Sequence, residues 1–224
     1  MDVLVACEES QSVTIALRSN GINAFSCDIQ ECSGGYPEWH IKGCAIKEAY
    51  SGKYKMMIGH PPCTYLSNAG IAYFNVLKYG DNAINRWKNR IEAVEFFLQL
   101  WRAPIDFICL ENPIGFMSSI GMPPNQIIEP WYFGDPHKKR TGLWLKGLPP
   151  LVYSLSDGLF NDRTSCEEPE HIFIDNSGKP RYFTDAIKGH GGGRTGRQKA
   201  RSKTFPGISN AIANQWSKYI LINE

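Results

Sequence analysis

The stretch DVLVACEESQSVTIALRSNGINAFSCD, residues 2–28, decides the fold. DVLVA (2–6) is an apolar run of strand length, and the next segment, 12–19, predicts a helix that Asn20 and Gly21 end. INAFSC (22–27) predicts a second strand that places Asp28 at its end. Strands that alternate with helices form a mostly parallel sheet with helices on both faces.

The same alternation continues along the chain. YKMMIG (54–59), DFICLE (106–111) and TGLWL (141–145) predict three more strands. Between them, residues 83–103 carry apolar side chains at steps of mostly three and four, which is typical of an amphipathic helix. These side chains are Ile84, Trp87, Ile91, Val94, Phe97, Leu98 and Trp101. After Leu148 there are few periodic signals until a closing helix at about 208–220, so we predict an α/β, Rossmann-like fold plus a small irregular region.

The composition fits one domain with a small appendage. The chain has 224 residues, of which 42% are apolar and 21% charged, and no segment approaches the roughly 20 apolar residues that span a bilayer. The N-terminus MDVLVACEES is acidic and lacks both an apolar signal core and a cleavage site. We therefore expect a soluble protein that is not secreted and has no membrane partner.

The cysteines indicate a reducing compartment. There are seven, an odd number without a CxxC pair, which argues against a disulfide framework and for the cytoplasm. Most are expected to be small core residues. One alternative is a zinc site formed by Cys27, Cys32, His40 and Cys44, although their spacing is looser than that of usual zinc fingers.

One segment concentrates positive charge. The stretch KGHGGGRTGRQKARSK (188–203) contains six cations and no acid, while the remaining chain is net negative. This contrast predicts a local contact with a polyanion, and the glycines at 189–193 predict loop mobility more than a phosphate-binding nest. The cations are Lys188, Arg194, Arg197, Lys199, Arg201 and Lys203.

Three reactive or polar side chains follow predicted strands. Asp28, Cys63 and Glu111 fall where parallel sheets gather their ligands, at the carboxyl ends of the strands. In GHPPCTYLSNAG (59–70), two prolines pre-organise the loop directly before Cys63. A free thiol has a pKa of about 8.5, so a nucleophilic cysteine needs a neighbour that lowers it. The alternative is a buried structural cysteine.

Glu111 is the second candidate for chemistry. It follows an apolar strand and precedes Asn112 and Pro113, and the proline restricts how both side chains leave the sheet. A carboxyl group beside apolar residues would have a raised pKa and could hold a proton near neutrality, whereas a surface glutamate would not. A thiol and such a carboxyl suit attack on C6 of a pyrimidine with a hydrogen bond at N3.

The motifs together resemble those of DNA cytosine-5 methyltransferases, and the short phage-type members are the nearest likeness. GHPPCTYLS resembles their Pro-Cys nucleophile loop, and ENP (111–113) is similar to their Glu-Asn-Val motif. HKKRTGLWL (137–145) resembles their Gln-x-Arg-x-Arg motif, and RSKTFPGISNAIANQW (201–216) their final motif. Order and approximate spacing match across nearly the whole chain.

The resemblance implies roles for these residues. Cys63 would attack C6 of a flipped cytosine, Glu111 would contact N3, and Asn112 would orient the loop. Lys139 and Thr141 fall where the family has its two arginines, and Arg140 is the alternative. The implied methyl donor is S-adenosylmethionine and the implied partner is double-stranded DNA in a bacterial host cytoplasm, with no obligate protein partner. Ser67 and the basic residues would contact the DNA.

The resemblance also implies a cofactor site at the first strand ends. Its residues would be Ala6, Cys7, Glu8, Ser10, Asp28, Ile29, Cys44 and Pro61. The family's first loop reads Phe-x-Gly-x-Gly, whereas this chain has no glycine from Ala6 to Leu17. Cys44 stands where the family often has an acid.

The implied domains are a catalytic α/β domain at 1–148, a recognition region at 149–207, and a helix at 208–224 that packs back on the first. The small recognition region predicts little or short sequence specificity. Two alternatives stay open: a non-catalytic DNA-binding relative, and an enzyme that modifies pyrimidine C5 with another one-carbon donor or a nucleotide substrate.

Overall fold

The computed structural model describes residues 2–156, 162–175, 178–182 and 203–222. Its main sheet contains seven strands: β1 (Asp2–Ala6), β2 (Asn23–Asp28), β3 (His40–Lys42), β4 (Met56–Gly59), β5 (Phe107–Pro113), β6 (Gln126–Ile128) and β7 (Thr141–Lys146). The helices are α1 (Ser12–Ser19), α2 (Ala45–Ala49), α3 (Val76–Trp101), α4 (Phe116–Ser119) and α5 (Pro206–Ile222). Short 3-10 turns cover Pro37–Trp39, Ile71–Phe74 and Pro130–Phe133, and β8 (Phe173–Ile174) pairs with β9 (Pro180–Arg181).

The strand order in the sheet is β3-β2-β1-β4-β5-β7-β6. Strands β1 to β5 are parallel, and β7 is antiparallel to β5. The prediction of an α/β fold with a mostly parallel sheet is therefore confirmed. Since the chain leaves β1 toward β2 on one side and later returns to β4 on the other, a topological switch point lies between β1 and β4. Their carboxyl ends are the expected ligand crevice.

The core explains why these segments form strands. Every residue of β1 from Val3 to Ala6 is fully buried, as expected for a strand covered on both faces. Alternation sends Leu4 and Ala6 to one face, where they belong to a cluster that includes Phe97 and Leu100 of α3. Trp144 of β7 closes this cluster, because its ring meets Phe97 edge-to-face with centroids 5.2 Å apart.

Helix α3 differs from its predicted form. It begins at Val76 rather than at residue 83, and its backbone breaks at Gly80, where φ is 48°. Of the predicted apolar face, Ile84, Trp87 and Ile91 are exposed. A seven-residue spacing instead buries Ala83, Arg90 and Phe97, and Arg90 Nε donates to the Tyr65 carbonyl oxygen beside Cys63.

Two compact units divide the chain: residues 1–127 with 141–150, and residues 128–140 with 151–224. In the second unit, Asp135 Oδ2 accepts a hydrogen bond from the Gly207 amide at 2.7 Å, at the start of α5. A Cβ atom at position 207 would lie 2.1 Å from the Phe133 carbonyl oxygen, so this contact requires glycine. Docking of the closing helix on the first domain stays a prediction. Within the described ranges, no helix has the length and apolar character needed to cross a bilayer.

Candidate active site

The loop that carries Cys63 leaves β4 at the switch point. The His60 amide donates to the Ala6 carbonyl oxygen at 2.9 Å, which extends the pairing of β1 and β4 by one residue. Beyond the two prolines, the amides of Leu66 and Ser67 donate to the Cys63 carbonyl oxygen at 3.1 and 2.9 Å. This closes a tight turn whose first residue has an exposed side chain. Cys63 is therefore an exposed residue just past the carboxyl end of β4.

A close backbone contact holds this turn against the segment after β5. The Phe116 amide donates to the Leu66 carbonyl oxygen at 2.7 Å, and Ser67 forms an isolated antiparallel bridge with Gly115. A Cβ atom at position 115 would lie 2.2 Å from the Leu66 oxygen. Gly115 is thus required by the close approach of two backbones at this point.

Asn112 links the same two segments through its side chain. It is 2% exposed, and its Nδ2 donates to the Pro61 carbonyl oxygen at 2.7 Å. Pro61 precedes Cys63 by two residues, so this buried hydrogen bond fixes the base of the cysteine loop to β5.

Glu111 lies one residue earlier on β5 and contacts His60. The Nδ1 atom of His60 is 3.0 Å from Glu111 Oε2, and the two side chains are 12% and 9% exposed. Gly59 of β4 pairs with Leu110 of β5, so the next residues along the two strands, His60 and Glu111, lie opposite each other. His60 is not among the predicted site residues, and its only signal in the sequence is its position as the first residue past β4.

The first loop makes its turn without glycine. Cys7 and Gln11 have φ values of 60° and 58°, in the left-handed region that favours glycine. The amides of Cys7 and Glu8 both donate to the Cys27 carbonyl oxygen, at 2.7 and 3.2 Å, and stabilise the first of these turns. This loop therefore reaches a glycine-type geometry at the cost of local backbone strain.

The Glu8 side chain caps the N-terminus of helix α1. Its carboxylate accepts hydrogen bonds from the Val13 amide at 2.6 Å and from Thr14 Oγ1 at 2.7 Å, and the residue is 4% exposed. Burial raises the pKa of Glu8, while His60 and the hydrogen bonds from Val13 and Thr14 partly offset this effect. The Glu8 side chain is thus committed to the helix N-terminus.

Other predicted cofactor residues lie near the carboxyl ends of β3, β2, β1 and β4. Ile29 is 78% exposed directly after Asp28, whose carboxylate is partly exposed and accepts a bond from the Gln30 amide at 2.9 Å. Cys44 is exposed at the start of α2, and the hydroxyls of Ser10 and Ser12 lie 3.2 Å apart. Ala6 and Pro61 are buried. An accessible carboxylate beside an exposed apolar residue fits a ribose and an aromatic base.

The zinc alternative is wrong. The ring nitrogens of His40 are engaged by Ser26 Oγ at 2.8 Å and by the Gln30 carbonyl oxygen at 2.9 Å. The Cys27 thiol donates to the Gly43 carbonyl oxygen. In the part of the chain that the structure describes, no three potential metal ligands converge.

The Gln11 side chain holds the segment after β2 against the first loop. Gln11 is not among the residues predicted from the sequence. Its Nε2 donates to the Tyr36 carbonyl oxygen at 2.8 Å, and its Oε1 accepts from the Tyr36 amide at 3.1 Å. A Cβ atom at Gly34 would lie 2.6 Å from the Ser10 carbonyl oxygen. Gln11 and Tyr36 are 25 positions apart, so local sequence patterns do not predict this contact.

The predicted basic residues are placed only in part. Thr141 is buried at the start of β7, opposite Pro113. Lys139 and Arg140 belong to the second unit, where Lys139 Nζ lies 5.8 Å from the Phe205 ring centroid and Arg140 is exposed. Ser67 is partly buried and Lys203 is exposed. The other predicted contacts, Lys188, Arg194, Arg197, Lys199 and Arg201, lie outside the described residues.

Comparisons with known proteins give likeness at the level of structure alone. No family model matches the sequence, and no curated protein matches it. The Entamoeba histolytica methyltransferase EhMeth is 14% identical with a TM-score of 0.47, over 100% of this chain and 98% of that one. A putative DNA modification methyltransferase encoded within an E. coli prophage is 13% identical, with a TM-score of 0.41 over 85% of this chain.

The S. pombe Dnmt2 methyltransferase is 14% identical, with a TM-score of 0.41 over 74% of this chain. The alignments cover 55% of the prophage protein and 57% of the S. pombe protein, little more than half of their length. At these identities, the function has to be argued from the site itself.

Proposed function

We propose that this protein is a DNA cytosine-5 methyltransferase that uses Cys63 as its nucleophile. The observation that carries the proposal is the buried hydrogen bond from Asn112 to Pro61. It ties the loop of an exposed cysteine to the strand that carries Glu111, at the switch point of a Rossmann-like sheet. Covalent attack on a pyrimidine needs this pairing of a thiol with a carboxyl group.

In this proposal, Cys63 forms a bond from Sγ to C6 of a cytosine that has left the base stack. Glu111 donates a proton to N3, so that the electrons of the C5–C6 double bond collect at C5. When bound, S-adenosylmethionine would supply the electrophilic methyl group to C5 and would leave as S-adenosylhomocysteine. Loss of the C5 proton to a base, with return of the N3 proton to Glu111, then restores the C5–C6 double bond and releases the Cys63 thiolate. Extrusion of the base costs a few kcal/mol, which contacts with the DNA must repay.

His60 supports Glu111 in this role. Its Nδ1 is within hydrogen-bond distance of the carboxylate, and both side chains are nearly buried. A buried imidazole can share a proton with a carboxyl group and fix its orientation. His60 therefore keeps Glu111 aimed and supplied with a proton, while Asn112 keeps the cysteine loop in place.

The cofactor would lie along the ends of β1 and β2. Asp28 would bind the ribose hydroxyls, and exposed Ile29 would cover the adenine ring. The backbone from Ala6 to Ser10, Cys44 and Pro61 would complete the site. Glu8 acts indirectly, because its carboxylate caps α1 and holds the loop in shape. The proposed contacts to the target base or the DNA backbone are Lys139, Arg140, Ser67, Arg194, Arg197, Lys199, Arg201 and Lys203.

One observation favours a second candidate, an enzyme that modifies pyrimidine C5 with a different one-carbon donor. The Glu8 carboxylate occupies the N-terminus of α1, in a loop without glycine. The methionine carboxylate of S-adenosylmethionine would meet this like charge, which disfavours that donor. Calorimetry distinguishes the candidates. Binding of S-adenosylmethionine in the micromolar range supports the first candidate. No binding at millimolar concentration, together with a modified base in mass spectrometry, supports the second, and no binding without a modified base favours a non-catalytic DNA-binding relative.

Covalent trapping tests the proposed function. The full chain is incubated with S-adenosylmethionine and a duplex that contains 5-fluorocytosine, whose C5 fluorine cannot leave as a proton does. We expect an adduct that survives denaturation for the wild type and none for Cys63→Ser, which should still bind DNA. Mass spectrometry of digested cytosine duplex should show 5-methylcytosine. An active serine variant, or an adduct at another cysteine, would refute the proposal.

A further inference from the structure

Two arginines of α3 lie beside the cysteine loop. Arg90 is 3% exposed, and its Nε donates to the Tyr65 carbonyl oxygen at 2.8 Å, two residues after Cys63. Its guanidinium carbon lies 3.4 Å from the Phe74 ring centroid and 4.4 Å from that of Phe116. Arg90 is thus enclosed by aromatic rings beneath the loop.

Arg86 lies one helical turn earlier and is partly exposed. Its guanidinium carbon is 4.8 Å from the Phe74 ring centroid and 5.1 Å from that of Tyr65. Its Nε is buried without a hydrogen-bond partner among the described residues. The Nη2 atom reaches toward Gly70, where a Cβ atom would approach it to 3.1 Å. A glycine in the left-handed conformation, with φ of 77°, keeps this approach open.

The described residues place no counter-ion beside this pair. Neither Arg86 nor Arg90 makes an ion pair with any residue that the structure describes. Burial, and secondarily the charge of Arg86, lowers the pKa of Arg90. Two neighbouring guanidinium groups with no acid between them create a positive potential that a bound anion would relieve.

We propose that Arg86 binds a phosphate group of the target nucleotide, with Arg90 adding a second positive charge from beneath the loop. The inference rests on the proposed function, because it assumes that Cys63 receives a pyrimidine nucleotide. Tyr65 packs on Arg86, bonds Arg90 and follows Cys63 by two residues, so a phosphate held here belongs to a nucleotide next to the thiol. A guanidinium suits phosphate because its donors match two of the oxygens at once.

The test compares Arg86→Gln with Arg102→Gln. Arg102 is exposed at the end of the same helix, so the two variants lose the same charge at different places. Fluorescence anisotropy measures the Kd of a cytosine-containing duplex across a range of salt concentrations. We expect Arg86→Gln to raise Kd about tenfold. The slope of log affinity against log salt should also become shallower by about 0.9, as for one lost phosphate contact.

A second arm separates the two sources of a nucleotide phosphate. Calorimetry with deoxycytidine monophosphate and with deoxycytidine shows whether a free nucleotide binds and whether its phosphate matters. Weaker duplex binding by Arg86→Gln assigns the phosphate to a DNA strand. A defect seen only with the monophosphate assigns it to a free nucleotide. Equal behaviour of Arg86→Gln and Arg102→Gln in both arms overturns the proposal.

A third measurement uses only the wild-type protein, so it tests the proposal even if Arg86→Gln does not fold. Phenylglyoxal modifies accessible arginines of the wild type, and peptide mapping identifies them. Duplex or monophosphate should protect Arg86 and leave Arg102 reactive, whereas unchanged reactivity of Arg86 contradicts the proposal. The results distinguish failure of the phosphate site from failure of the proposed function. Arg86-dependent binding without formation of 5-methylcytosine would contradict only the proposed function. Methylation without Arg86-dependent binding would contradict only the phosphate site.

Discussion

His60 Nδ1 lies 3.0 Å from Glu111 Oε2, between the ends of two adjacent parallel strands. The pair joins the first residue after β4 to a residue of β5, next to the bond from Asn112 to Pro61. The charge of His60 also acts on Glu8, the cap of α1. One imidazole thus connects the proposed cofactor loop to the carboxyl group proposed for catalysis.

Replacing His60 tests this connection. We expect His60→Gln to lower kcat for methylation by about tenfold or more, because Glu111 loses its proton-sharing partner. The Kd for DNA should change little. Exposed His171 provides the matched control, and His171→Gln should retain wild-type kcat. Full kcat in His60→Gln would show that the pair is only structural.

Arg90 is expected to matter for stability. Arg90→Met keeps the length of the side chain but removes the donor to Tyr65 and the cation between two aromatic rings. The free energy of unfolding should fall by about 2–3 kcal/mol, measured by urea denaturation. Lys88→Met, at an exposed position on the same helix, should change it by less than about 0.5 kcal/mol. Equal losses in the two variants would argue against a special role for the buried guanidinium.

Gly115 is expected to resist any side chain. In Gly115→Ala, the new Cβ would overlap the Leu66 carbonyl oxygen and push the Cys63 turn away from β5. We expect a loss of roughly 1–3 kcal/mol of unfolding free energy, together with much slower formation of the covalent DNA adduct. For stability, Gly43→Ala is the control, because only Ile41 Cγ2 lies near its Cβ, at 4.0 Å. A Gly115→Ala variant as stable as Gly43→Ala would contradict the observed contact.

Glu129 should make stability depend on pH. Burial raises its pKa, and the charges of Lys138 and Arg140 only partly offset this. The folded state therefore favours protonated Glu129, and this contribution to stability is lost as pH rises through the raised pKa. The Tm of Glu129→Gln relative to wild type should accordingly increase from pH 4 to pH 8.

The contrasting control for this prediction is Glu31→Gln. Lys42 lowers the pKa of Glu31 through a 2.6 Å ion pair, so this substitution should shift Tm in the opposite direction as pH rises. A Tm difference for Glu129→Gln that stays constant with pH would mean that Glu129 titrates alike in both states.

The class of fold and most of its strands could be predicted from the sequence, because apolar runs and their periodicity are local properties. GHPPC (59–63) also predicted a cysteine just past a strand, whereas Glu111 of ENP (111–113) lies within β5, which continues to Pro113. The three-residue strands β3 and β6 were missed, since their apolar content is too short to stand out.

Which residues contact each other could not be predicted and depends on the folded chain. The tertiary structure buried Arg90, which is not among the apolar side chains of the predicted helix, paired His60 with Glu111, and joined Gln11 to Tyr36. The partners in these contacts lie 25 or more residues apart, and neither member alone carries a signal for the other. Strand order and register create such contacts, so they exist only once the sheet has formed.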